Sequence, residues 1–308
     1  MLDLRYVQIQ TLSRCNADCV FCPYVESWHA AHPGRMDDAL WAEVLRQLEP
    51  FAEGLSKGMV APYLMNEPLL DPALFQRISD IYARFPDTMV VVATNAVALT
   101  ERNTTRLLEV LRGRKHQIWV SYHGIGPDTL RTVMRVDPDR ALFNTLALLK
   151  RGAGFRIQIR GAGESLDGRR TWFTTEDYRA YWAALFREHD IDPRRVHIDA
   201  FRFHDRAGAL RRTDRGAGDL SVGKVRDIDP AHPFRCPRVD QWLHVLWDGT
   251  LRLCCMDWHG EVEMPNLREV TLKEWFASDA YRALVATVTG RTMAPEDWIC
   301  TRCTSPGG

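Results

Sequence analysis

Cys15-Asn-Ala-Asp-Cys19-Val-Phe-Cys22 sets three thiols at C-x3-C-x2-C spacing on one short segment. Three thiolates on such a loop can hold three irons of a cubane cluster and leave the fourth iron without a protein ligand. An open coordination position of that kind can serve chemistry. Two plainer readings stay open on spacing alone: a zinc site completed by His29 or His32, or three unconnected core cysteines. The chain has eight cysteines, and the other five are Cys236, Cys254, Cys255, Cys300 and Cys303, with none between Cys22 and Cys236. In a cytosolic protein, grouped cysteines mark metal or catalysis more often than disulfides.

The elements around the first group are those of a parallel sheet. Apolar, β-branched runs are expected as strands at Tyr6–Thr11, Gly58–Leu64, Thr88–Thr94, Gln117–Tyr122, Phe155–Arg160 and Val196–Phe201. Amphipathic runs between them are expected as helices at Asp37–Leu48, Pro72–Arg84, Glu101–Arg112, Pro127–Arg135, Asp139–Arg151 and Thr175–Glu188. Asp71-Pro72 reads as an N-cap with proline at the first helical position, and Asp177 lies in the first turn of the last helix. Consecutive βα units require crossovers, hence parallel strands with helices outside. Six units are too few for a closed eight-unit barrel, so the fold class is α/β, a partial (β/α)6 TIM-like barrel. Its chemistry belongs at the C-terminal ends of the strands, where the strand beginning at Tyr6 delivers Cys15, Cys19 and Cys22.

Past the sixth strand the composition shifts. Residues 204–235 are rich in Asp, Arg and Gly and read as a linker between a barrel over 1–203 and a second unit over 236–308. The basic stretch Arg206–Arg215 reads as solvated linker. In the second unit, Trp242–Trp247 and Thr250–Cys255 flank Asp248-Gly249, a type I′ hairpin signal. One helix is expected over Leu272–Val288, which makes this unit a small α+β domain of hairpin plus helix.

The barrel resembles the radical S-adenosylmethionine (SAM) superfamily. That family's motif is C-x3-C-x-aromatic-C, with Phe21 at the aromatic position, and it follows the first strand of a partial barrel. Met65-Asn66-Glu67-Pro68 stands where the family carries Gly-Gly-Glu-Pro; Glu67 and Pro68 match and both glycines are replaced. The resemblance implies that Asn66 and Glu67 face the amino group of SAM. It also implies SAM contacts at later strand ends: Asn95 after the third, Ser121 after the fourth, Arg160 and Glu164 after the fifth. Ser121 and Arg160 would meet ribose or carboxylate, and Ile159-Arg-Gly-Ala-Gly-Glu164 fits part of a pattern that packs near adenine. The implied mechanism is one-electron cleavage of SAM at a reduced [4Fe-4S] cluster, giving a 5′-deoxyadenosyl radical that takes hydrogen from an unactivated C–H bond. The cofactor carries that chemistry; the protein positions the substrate.

The order C-x12-G-x4-C, gap, C-x2-C is similar to the shortened SPASM module called a twitch domain. The resemblance implies a second, auxiliary [4Fe-4S] cluster with full ligation by Cys236, Cys254, Cys300 and Cys303; zinc is the alternative for the same four thiols. Cys254 and Cys255 are neighbours on a strand and point to opposite faces, so both cannot readily serve one cluster. The Gly249-x4-Cys254 spacing selects Cys254. Cys255 is then either a hydrogen donor to a substrate radical, as in some radical SAM epimerases, or a small packed hydrophobe.

The family resemblance leaves two function classes. A small polar substrate (sugar, aminocyclitol or nucleoside), oxidised or epimerised as in 2-deoxy-scyllo-inosamine dehydrogenase-type and related natural-product enzymes, suits an auxiliary cluster with no open iron. Maturation of a ribosomally made peptide is the alternative. Such maturases usually carry an extra leader-recognition domain, for which the segments before Cys15 and after Cys303 leave no room. An electron donor such as flavodoxin or ferredoxin is the expected protein partner. Forty basic residues balance forty acidic ones, which argues against a nucleic-acid or membrane partner. The start of the chain reads as a strand and not as a signal peptide, so a cytoplasmic location is expected.

Overall fold

A computed structural model describes residues 2–212, 236 and 238–303. Six parallel strands follow one another: β1 (Tyr6–Ile9), β2 (Met59–Ala61), β3 (Met89–Thr94), β4 (His116–Ser121), β5 (Ile157–Ser165) and β6 (Val196–Phe203). The helices are α1 (Asp38–Leu48), α2 (Leu74–Arg84), α3 (Glu101–Leu111), α4 (Pro127–Met134), α5 (Pro138–Arg151) and α6 (Thr175–Glu188). Alternation along the strands decides what faces where. Val60, Val90, Val92, Ile118, Val120, Ile157 and Ile159 are buried in the main core with the apolar stripes of these helices. The other face of the same strands carries Met59, Tyr63, Val91 and Trp119, a separate cluster on the inside of the curved sheet.

Local sequence explains most element starts. Thr174 accepts from the Asp177 amide while the Asp177 carboxylate accepts from Thr174, a capping box that starts α6. Thr100 and Asp137 cap α3 and α5 by side-chain acceptance alone, from the Asn103 amide and from the Asp139 and Arg140 amides. The start of α2 differs from expectation. Asp71 accepts from the Ala73 amide and its second oxygen pairs with Arg77 at 2.9 Å, so the chain makes a separate turn before α2 begins at Leu74. The side chains of Asp71 and Arg77 are fully buried, and Arg77 also donates to the carbonyls of Thr11 and Met36. That buried pair ties α2 to the two ends of the segment that carries the first cysteines.

The second unit is less separate than its hairpin-plus-helix pattern suggested. β7 (Trp242–Val245) runs parallel to β1, in register from Tyr6↔Trp242 to Ile9↔Val245, and β8 (Leu251–Arg252) pairs antiparallel to β7. One eight-stranded sheet results, in the order β6-β5-β4-β3-β2-β1-β7-β8. The physical reason is the free edge of β1, whose backbone groups an open barrel leaves unpaired. The hairpin turn is also not type I′. Only Gly249 has positive φ, at 95°, and the Leu246 amide bonds the Thr250 carbonyl across a three-residue loop. Asp248 accepts from the Thr250 amide and hydroxyl, which holds it in ordinary backbone space and leaves glycine to make the bulge.

The expected helix over Leu272–Val288 is two helices, α7 (Leu272–Ala277) and α8 (Asp279–Val288). Ser278 breaks it in extended conformation and caps the second with its hydroxyl on the Tyr281 amide. Of the expected linker, residues 213–235 lie outside the described residues. Asp205, Ala207, Ala209 and Leu210 are buried, so that stretch starts as packed structure. No helix among the described residues is long and apolar enough to cross a membrane.

Candidate active site

β1 ends at Ile9 and the chain then carries Cys15, Cys19 and Cys22 across the C-terminal rim of the sheet. Both sides of this loop are pinned. On one side Asp18 and Val20 donate backbone bonds to the carbonyls of Met134 and Val133 at the end of α4, and Asp18 pairs with Arg135 at 3.0 Å. Arg135 adopts left-handed backbone as the α4 C-cap, which turns it toward the loop. Phe21 is 3% exposed; it stacks on Phe203 of β6 at 5.1 Å and meets His123, just past β4, edge-on at 4.9 Å. Tyr24 bonds the Cys15 amide and the Ser13 carbonyl.

On the other side, Asn16 accepts from the Asn95 side chain at 2.7 Å. The Asn95 backbone amide donates to Glu67 at 2.7 Å, and the second Glu67 oxygen accepts from the Leu69 amide. Glu67 is 2% exposed, and burial pushes its pKa up to about 7 against the hydrogen bonds from Asn95, Thr94 and Leu69. Asn66 accepts from the Leu64 amide, while its side-chain nitrogen is buried with no hydrogen-bond partner among the described residues. An uncommitted donor beside a buried carboxylate fits a ligand with both polar signs, such as an amino acid head group.

Burial raises the Cys15 thiol to about 12 and the Cys19 thiol well above its ordinary value, and nearby Glu67 and Cys22 add to this. Metal coordination ionises such thiols, so a cluster bound on this loop would release protons. Among the described residues no three His, Cys, Asp or Glu side chains converge as a ready site for one metal ion. His29, one expected zinc ligand, is fully buried and bonds Gln10; burial drives its pKa down to about 3. His32 stacks on Trp28 and bonds its carbonyl.

Inside the sheet, register builds a polar row. Ser121, Arg160 and Asp199 are successive partners across β4, β5 and β6. The Arg160 guanidinium donates to Asp199 at 2.9 Å and lies over Trp119 at 4.5 Å and Phe201 at 5.2 Å. Across the sheet, His244 of β7 is fully buried, stacked on Trp242, with neither ring nitrogen hydrogen-bonded among the described residues. Burial keeps it neutral, with a pKa near 3. Trp119, Asp199, Trp242 and His244 escaped the sequence reading. Alternation alone puts Trp119 on the face of Ser121; Asp199 and His244 needed strand register.

Glu164 stands apart from this row. A bulge between Ala162 and Glu164 turns it to Arg202 at 3.0 Å. Gly161 and Gly163 are needed for packing: a Cβ on Gly161 would enter the Tyr178 ring of α6, and one on Gly163 the Phe173 ring.

Cys236, Cys254, Cys255, Cys300 and Cys303 all pack on one apolar cluster that includes Val239, Met256, Val288 and Ile299. The Val239 amide donates to the Cys236 carbonyl, and the Tyr281 hydroxyl donates to the Val239 carbonyl. β8 ends at Arg252, so the two adjacent cysteines lie beyond the strand expected to carry them to opposite faces, and both are near Arg238. Cys254 is close to Cys300 and accepts from the Met256 amide. Cys255 accepts from Arg238 at 2.8 Å.

Residues 236–304 match the family described as SPASM, an iron-sulfur cluster-binding domain. Among solved structures, BtrN in complex with AdoMet and 2-DOIA shares 15% identity at TM-score 0.56, covering 96% of this chain and 98% of that one. Streptococcus suis SuiB bound to precursor peptide SuiA shares 12% at TM-score 0.59, over 96% of this chain and 69% of that one. AnSMEcpe with bound AdoMet shares 14% at TM-score 0.59, over 96% and 88%. No curated protein matches. The fold of this chain is the one these structures share, and its C-terminal segment is similar to an iron–sulfur cluster-binding domain.

Proposed function

We propose that this protein is a radical SAM enzyme with a catalytic [4Fe-4S] cluster on Cys15, Cys19 and Cys22 and an auxiliary one on Cys236, Cys254, Cys300 and Cys303. The observation that carries the reading is the pinning of the cysteine loop across the rim, by Phe21 against His123 and Phe203 on one side and by Asn16–Asn95–Glu67 on the other. When bound, the cluster and SAM supply one-electron cleavage and hydrogen-atom abstraction. The chain's own residues do the rest. Glu67 offers a carboxylate, and Asn66 a donor, to the amino acid end of SAM. Arg160, fixed by Asp199 and Trp119, presents a donor surface to the barrel interior. Neutral His244 and the Trp119 indole offer further polar groups there, unpaired among the described residues.

Such a lumen suits a small polar substrate of sugar, aminocyclitol or nucleoside type, and we assign the chain to dehydrogenation or epimerisation of that class, with electrons from a flavodoxin or ferredoxin. Peptide maturation is the second reading, supported by the similarity to SuiB, whose structure holds a precursor peptide. Anaerobic reconstitution tests the proposal: about eight irons are expected for two cubanes, with SAM cleaved under reduction. Replacing Cys15, Cys19 and Cys22 with Ala should leave about four irons and no cleavage. Bound zinc, or cleavage that survives the triple change, would sink it.

A further inference from the structure

Arg238 lies two residues beyond Cys236, and its guanidinium has three kinds of neighbour. It donates to Cys255 Sγ at 2.8 Å. It lies over the Trp242 ring of β7 at 5.1 Å, on the inner side of the sheet, where Trp242 stacks on Tyr6 at 4.6 Å. It is also among the cluster thiols. Burial works to lower its pKa, but Cys255, Cys254, Cys236 and Cys303 raise it more. Among the described residues no carboxylate is bonded to it. An arginine stays charged at any working pH, so this is a fixed charge and not a titrating one.

We propose that Arg238 is a positioning residue that raises the reduction potential of the C-terminal cluster by holding a permanent positive charge between its thiolates and the barrel interior. Four thiolates around a cubane leave the site negative, and one-electron reduction from the 2+ to the 1+ state adds another negative charge. A cation in a low-dielectric setting stabilises the reduced form more than the oxidised one. A nearby donor to a cysteine sulfur acts in the same direction. The inference rests on the cluster being present on these cysteines, as proposed above. It adds that this chain tunes it from the side facing the lumen, where an electron would be exchanged.

The test uses the full chain with Cys15, Cys19 and Cys22 changed to Ala, so that only the C-terminal cluster gives a signal. Dithionite supplies one electron per cluster, and the reduced state is followed by EPR against a set potential. At the parent's midpoint, Arg238→Gln should lower the ratio of reduced to oxidised cluster about tenfold, which is ~59 mV for a one-electron couple. Arg238→Lys, which keeps a charge but not the planar fork, should move it less. An unmoved midpoint in Arg238→Gln overturns the proposal, as does a Lys variant that shifts as far as the Gln variant. Loss of iron from Arg238→Gln would assign Arg238 to holding the cluster and overturn it too. A parent without C-terminal iron sinks the cluster assignment itself, a result separable from an unmoved midpoint.

Discussion

The backbone amide of Asn95, at the end of β3, is bonded to the carboxylate of Glu67, at the end of β2, over 2.7 Å. This one bond joins two strand ends and, through Asn16, the cysteine loop. Glu67 therefore has a structural task besides the contact with SAM that its motif implies. Glu67→Ala should weaken SAM binding roughly tenfold to a hundredfold, the worth of a charge-assisted hydrogen bond, with both clusters still assembled. Equilibrium dialysis with labelled SAM reads the affinity and iron analysis reads the clusters. Unchanged affinity would leave Glu67 only its structural task.

The same carboxyl gives a pH dependence. Its pKa is near 7 in the folded protein against an ordinary 4.5, chiefly because it is buried. Between those values the folded chain holds the proton that the unfolded chain has lost. The Glu67 contribution to stability is therefore greatest below the unfolded value, falls as pH rises through the window, and is level above about 7. Glu67→Gln does not titrate, so the wild-type Tm should drop relative to the variant between about pH 5 and pH 8. A constant difference in Tm over that range would contradict the assignment.

Asp71 and Arg77 form a fully buried ion pair whose arginine also holds the carbonyls of Thr11 and Met36. Removing one partner strands the other charge. Arg77→Met should cost about 3–5 kcal/mol in urea unfolding, and Asp71→Asn somewhat less because an amide can still accept. The double change to apolar residues should recover part of that loss. Equal stability of Arg77→Met and the parent would show that water reaches the pair.

Gly161 separates a packing role from a cofactor role. Its missing Cβ makes room for the Tyr178 ring on the helix side of β5, and Tyr178 in turn bonds the Tyr122 carbonyl. Gly161→Ala should destabilise by about 1–3 kcal/mol through overpacking. At temperatures where the variant stays folded, its SAM affinity should match the parent's. A loss of affinity without a loss of stability would mean that the glycine serves the ligand instead.

Cys255 decides between oxidation and epimerisation. Bonded to Arg238, it has a structural reason to be present without any hydrogen transfer. Cys255→Ala should cost about 1 kcal/mol, leave product formation intact, and turnover in D₂O should put no deuterium on carbon. Deuterium at one inverted carbon, lost in Cys255→Ala, would make Cys255 the hydrogen donor.

The sequence by itself determined what depends on near neighbours along the chain. The C-x3-C-x2-C spacing, the apolar β-branched runs of β3 and β4, and Asp177 in the first turn of α6 are local, and their physics is settled within a few residues. The parallel barrel followed from the order of those elements, because crossovers leave parallel strands little choice. The tertiary structure decided what depends on register and on distant partners. Asp199 reaches Arg160 only because β5 and β6 pair in one register. β7 joins the barrel only because β1 has an open edge. The expected strand over Thr250–Cys255 ends at Arg252, so strand alternation does not separate Cys254 from Cys255, and Arg238 became the partner of Cys255 only after the chain folded back between Trp242 and the C-terminal cysteines. A hydrogen bond across seventeen residues of sequence leaves no periodic trace, since its geometry is set by packing and not by the backbone repeat.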